Sequence, residues 1–287
     1  MTPAEARAWF EKRIASVPKL NDPVAKVENR TIPAPGGKLP LRVYTPKGRG
    51  PFPILLWFHG GGWVLGSLDT GEDPCRSLCS RAGAVVVSVD YRLAPEHKFP
   101  AALEDCYAAL KWCSERAGEI NGDGKRLAVA GDSAGGNLAA ATALYARDKH
   151  GPLVALHVLI YPALNNNLDT ASYHEFASDF GLTREAMAYC WKSYLAKPQD
   201  GSNPYACPLL AKDLKGVSPA LIVVANFDVL RDDGEAYAAR LKQSGVPVQC
   251  TRYLSMNHGF VRYGGVYEPA KRAMDEIAAA LKKAFER

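Results

Sequence analysis

A chain of 287 residues with 47% apolar and 23% charged residues has the balance of an ordinary globular protein, which excludes disordered and fibrous classes. The formal charge of +5 is spread along the chain, with acids alternating among the bases in Arg7 to Arg13 and Lys271 to Arg287. No basic stripe with interleaved aromatics suggests nucleic acid, and no run reaches the ~18 apolar residues that a membrane helix needs.

Met1 to Val17 is interrupted by Glu5, Arg7, Glu11, Lys12 and Arg13, so it lacks the apolar core of a signal peptide and a cytoplasmic address is expected. In the same segment Trp9, Phe10, Ile14 and Val17 fall near one helix face. Val24–Ile32 and Leu39–Tyr44, joined at Pro35-Gly36-Gly37, read as a hairpin at a sheet edge. Apolar runs follow at Ile54–Phe58, Ala84–Val89, Leu127–Ala130, Val154–Ile160 and Ala220–Ala225, with a further strand at Val248–Leu254. Helical patterns alternate with them at about 100–117, 135–148, 231–244 and 267–285, as in a parallel sheet covered on both faces. The stretch from about 165 to 210, opening with Asn165-Asn166-Asn167, breaks the alternation. It and residues 1–20 are expected to lie as cap elements over one end of a single domain spanning 1–287. The seven cysteines include no C-x-x-C pair and read as reduced, packed thiols, with no metal site.

Two glycine-rich stretches sit where strands end. Leu127–Ala130 runs into Gly131-Asp132-Ser133-Ala134-Gly135-Gly136 and then an Ala- and Leu-rich helix, which places a G-x-S-x-G on a strand-to-helix turn. Such a turn lifts a serine hydroxyl clear of the backbone, beside N–H groups of a helix start that favour negative charge. This motif alone arises by chance in about one chain in ten of this size, so it needs partners. His59-Gly60-Gly61-Gly62 follows the strand Ile54–Phe58 and offers backbone donors free of bulky side chains. The N–H groups of Gly61, Gly62 and Ala134 are therefore expected to bind an oxyanion, and His59 to hold its loop.

A serine hydroxyl needs a base, and histidine is suited to that task near neutral pH. His258, in Asn257-His258-Gly259-Phe260, follows the last strand; His157 lies inside an apolar strand, and His150 and His174 precede every candidate acid. Asp228 follows the strand Ala220–Ala225 and is the favoured orienting carboxylate, with Asp232 and Asp233 as competitors that also read as helix N-terminal residues. Trp63, Met187, Trp191 and Tyr194 are candidates to line a substrate pocket, although aromatic and Met residues at this spacing also serve as plain core packing.

Taken together, these motifs resemble the hormone-sensitive-lipase-like esterases, in the bacterial group with a GDSAG nucleophile motif. Tyr91-Arg92-Leu93-Ala94-Pro95-Glu96, Asn203-Pro204-Tyr205 and Leu230-Arg231-Asp232 add to the resemblance, which covers roughly residues 40 to 265. It implies an α/β-hydrolase fold with a mostly parallel eight-stranded sheet, flanking helices and a small helical cap. It also implies a carboxylesterase acting on small-molecule esters of short to medium acyl chain length, without a cofactor. Ser133, His258 and Asp228 then form a triad. The family's proline after the aspartate is Val229 here, and the N-terminal portion is short. An amidase on the same scaffold and a non-catalytic binding protein are the rival readings, and a homodimer is left open.

Overall fold

The computed structural model describes residues 1–286, and within them eight strands form one sheet in the order β1-β2-β4-β3-β5-β6-β7-β8. The strands are β1 (Lys26–Ala34), β2 (Gly37–Thr45), β3 (Phe52–Phe58), β4 (Val85–Val89), β5 (Gly122–Asp132), β6 (Val154–Ile160), β7 (Ala220–Phe227) and β8 (Val248–Asn257). Strand β2 runs antiparallel to both neighbours, and every pair from β4 to β8 is parallel. The helices are α1 (Pro3–Ala15), α2 (Glu72–Ala82), α3 (Ala101–Glu115), α4 (Ala134–Asp148), α5 (Ala171–Glu175), α6 (Arg184–Tyr194), α7 (Arg231–Gln243) and α8 (Glu268–Phe285).

The apolar runs become central strands because both of their faces are covered. In β3, Ile54, Leu56 and Phe58 join the core beneath α3 and α4, while Leu55 and Trp57 join the core beneath α2 and α8. Every residue of β3 and β4 is buried, which is why neither shows the polar alternation of a half-exposed strand. The hairpin behaves differently: β1 is an edge strand with an exposed face, and its turn is the pair Pro35-Gly36.

Three departures from the sequence pattern have local causes. Helix α2 escapes the reading because its buried face is made of Pro74, Cys75, Ser77, Leu78, Cys79 and Ala82, residues that mostly carry weak helical signal. Strand β8 extends three residues past Leu254, so that it delivers the chain directly to His258. Helix α1 forms with a Thr2–Glu5 capping box, yet none of its residues is buried. Phe10 lies against the Arg262 guanidinium, whereas Trp9 is half exposed beneath Arg13, and Val17 lies beyond the helix end.

The segment after β6 is tied down by a carboxylate. Asp233, in the first turn of α7, is 1% exposed, and its Oδ2 accepts the N–H groups of Leu164 and Asn165 at 2.8 and 3.0 Å. Its Oδ1 has no partner among the described residues, and burial pushes the carboxyl up to about 7. A folded-state value above the ordinary 3.8 means that the folded chain holds a proton the unfolded chain has released. Stability from this group is therefore full only below pH 3.8 and is lost as pH rises through about 7. Asp233→Asn keeps an oxygen for both N–H groups and removes the charge. Its melting temperature relative to wild type should rise between pH 4 and pH 8, by several degrees; parallel melting curves across that range would refute the assignment.

Candidate active site

The turn between β5 and α4 sets the geometry. Ser133 sits at φ 58 and ψ −118, a conformation that side-chain-bearing residues rarely adopt, and is held there by its N–H bond to Ile160 O at 2.8 Å. The turn closes because Gly135 lies against the end of β3. A Cβ at that position would collide with the carbonyl oxygen of Phe58 and stand 2.8 Å from that of His59.

Facing the serine, His258 emerges from the end of β8. Its Nε2 lies 3.0 Å from Ser133 Oγ, and its Nδ1 lies 2.7 Å from Asp228 Oδ2. Because a carboxylate accepts, the ring proton belongs on Nδ1, and Nε2 is left to accept from the hydroxyl. Asp228 leaves the end of β7 with a fully buried side chain, and its Oδ1 accepts the Leu230 N–H at 2.9 Å. The two competing acids point elsewhere. Asp232 accepts from Ser172 N–H at 2.8 Å and from Arg231, and Asp233 binds the start of the segment after β6.

The glycine loop after β3 is fixed from both sides. Gly60 N–H donates to Asp132 Oδ1 at 2.8 Å. His59 is buried and stacks on Tyr91 with ring centroids 4.4 Å apart, while Tyr91 Oη donates to His59 O at 2.6 Å. Burial pushes the His59 imidazole down to about 4, so it is neutral near pH 7 and packs as part of the scaffold. Among the described residues, no backbone or side-chain acceptor occupies the N–H groups of Gly61, Gly62 or Ala134. Ala134 is the first residue of α4, where N–H groups lack intrahelical partners. His157 is likewise buried, with Nδ1 at 2.9 Å from Ser218 Oγ.

The four candidate lining residues come together in another way. Trp63 is fully buried, stacks on Tyr194 at 4.3 Å and meets Trp191 at 4.5 Å, and Met187 is buried as well. The three aromatic faces meet one another, and all four side chains belong to one buried cluster. The aromatic residues bordering the histidine loop are ones the sequence reading did not name. Phe227 directly precedes Asp228 and stacks on Phe180 at 5.5 Å, with Phe176 edge-on to both. Asn257 Nδ2 donates to Phe180 O at 3.2 Å, which ties this cluster to the residue before His258. Tyr161, at φ 36 after β6, backs the His258 ring at 4.6 Å. The position of Phe227 beside Asp228 is visible in the sequence; the others meet only through the fold.

Known proteins agree with this architecture. A model of the family described as the alpha/beta hydrolase fold matches residues 55–262. The chain is 44% identical over 263 residues to the carboxylic ester hydrolase LipN of Mycobacterium tuberculosis, covering 89% of this chain and 70% of that protein. It is 39% identical over 271 residues to the arylesterase of Saccharolobus solfataricus, covering 94% and 87%. Among solved structures, an esterase of Pyrobaculum calidifontis superposes with a TM-score of 0.93 at 45% identity, over 99% of this chain and 94% of that one. A thermostable carboxylesterase from a metagenomic library gives 0.95 at 43% identity, over 100% and 99%.

The contact at Gly135 is directly testable. Gly135→Ala forces a methyl group against the backbone of Phe58, and its unfolding free energy in urea should fall by about 1–3 kcal/mol or more. A variant as stable as wild type would show that the turn has room to spare.

Proposed function

The chain belongs to the hormone-sensitive-lipase-like carboxylesterases of the α/β-hydrolase superfamily, and from that membership we propose that it hydrolyses carboxylic esters through an acyl-serine on Ser133. The observation that carries the reading is the unbroken hydrogen-bond chain from Ser133 Oγ through His258 to Asp228. His258 takes the serine proton as Oγ attacks the ester carbonyl, and Asp228 holds the ring in the tautomer that can do so. The carbonyl oxygen becomes an oxyanion facing the N–H groups of Gly61, Gly62 and Ala134, each worth about 3 kcal/mol in the transition state. His258 returns the proton to the departing alcohol. Water, activated by the same imidazole, then releases the acid and restores Ser133.

The substrate class follows from what borders these groups. Phe180 and Phe227 give the histidine side of the site an apolar wall, which suits an ester with a short to medium acyl chain. Residues 1–20 and 165–210, carrying α1, α5 and α6, act as the cap over the site. The seven cysteines are free, and five of them are buried, in keeping with a cytoplasmic enzyme whose thiols stay reduced.

Ser133→Ala should abolish hydrolysis of a short p-nitrophenyl ester while circular dichroism stays unchanged; surviving activity would end this reading. Asp228→Asn should lower kcat by about 10⁴-fold, whereas Asp232→Asn should leave most of it. The reverse order would transfer the orienting role to Asp232. In a panel of p-nitrophenyl esters, kcat/KM should peak between acetate and octanoate, and a maximum at palmitate would contradict the proposed acyl range.

A further inference from the structure

We infer that the buried Arg262–Asp132 ion pair is a positioning device for the reaction, holding the oxyanion loop and the histidine loop in register on either side of Ser133. The inference rests on the reading of Ser133 and His258 as nucleophile and base. Asp132 directly precedes Ser133, and its side chain is 3% exposed. One oxygen, Oδ1, accepts from Gly60 N–H at 2.8 Å, next to the two glycines proposed as oxyanion donors. The other, Oδ2, accepts from Arg262 Nη2 at 2.6 Å. Arg262 lies on the short 3-10 turn Phe260–Tyr263 that follows His258, and its own N–H donates to Gly259 O at 3.2 Å. A single carboxylate thus joins three segments, from 72 residues before it to 130 after it.

The surroundings of the pair point to placement. Gly60 lacks a side chain where a Cβ would stand 2.7 Å from both Arg262 Nη2 and Asp132 Oδ2, so the loop can close directly over the charges. From α1, Phe10 covers the guanidinium at 5.2 Å. Tyr161 contacts the His258 ring at 4.6 Å and Phe260 at 5.8 Å, so the imidazole leans on the turn that Arg262 anchors. Buried ion pairs give little net stability compared with apolar residues of similar size, because desolvation opposes the attraction. What they do supply is a fixed distance and direction. The two loops otherwise depend on separate strands, and a misplacement of about 1 Å between base and oxyanion donors lowers a rate by about a hundredfold.

The test uses p-nitrophenyl butyrate hydrolysis and thermal melting for wild type, Arg262→Lys and the double variant Asp132→Asn/Arg262→Met. The double variant removes both charges together and keeps an oxygen for Gly60 N–H, so no buried carboxylate is left unpaired. It should melt within a few degrees of wild type yet lose about tenfold or more in kcat, with KM changed less than threefold. Arg262→Lys, which keeps the charge but not the fork, should fall between them. A folded double variant with kcat within threefold of wild type overturns the proposal. If the double variant fails to fold, Arg262→Lys decides, and wild-type kcat there overturns it. An active Ser133→Ala variant overturns the triad reading and this proposal together; an inactive one with a fast double variant overturns this proposal alone.

Discussion

The sharp turn from β5 into α4 is the constraint on which the rest of the site depends. Ser133 can hold a left-handed φ only because neighbouring elements leave it no alternative: its N–H is taken by Ile160, and Gly135 is pressed against the end of β3. A strained residue persists where its surroundings overdetermine it. The strain is met by the same buried, parallel pairing of β3, β5 and β6 that makes the centre of the sheet rigid. The position of the hydroxyl at the tip of its turn is therefore a property of the sheet, and the remaining groups need only be brought to it.

They arrive at the ends of parallel strands, and three buried carboxylates organise them. Asp228, Asp132 and Asp233 are each 1–2% exposed, but each is compensated differently. Asp228 faces an imidazole and one backbone N–H. Asp132 faces one backbone N–H and a guanidinium. Asp233 has two backbone N–H groups and no cation, and burial pushes its carboxyl up to about 7. Burial is common to all three, and only the partners differ.

Much of this was legible in the sequence for a physical reason. Central strands of a parallel sheet must be apolar on both faces, which makes Ile54–Phe58 and Ala84–Val89 visible, and glycines are needed where the backbone approaches a reacting atom, which makes residues 60–62 and 131–136 visible. Ser133, Asp228 and His258 stood out because each follows a strand. What stayed hidden depends on meetings across the fold. Nothing in the order of residues says that Arg262 reaches Asp132 or that Asn257 reaches Phe180. Nor does spacing separate a pocket wall from packing, and Trp63, Trp191 and Tyr194 close on one another.

Helix α1 differs from every other long helix in how it is attached. It buries no residue, and its firmest hold is Arg7, whose guanidinium donates to the carbonyls of Val64 and Ala94 and pairs with Glu96 at 2.6 Å. Glu96 is half exposed, so the pair lies within reach of mobile ions and is screened as ionic strength rises. The apolar core beneath the sheet has no such sensitivity. Salt therefore acts unequally on the two parts of the molecule, loosening the terminal helix over Arg262 and the β3 loop while leaving the sheet as firm as before or firmer.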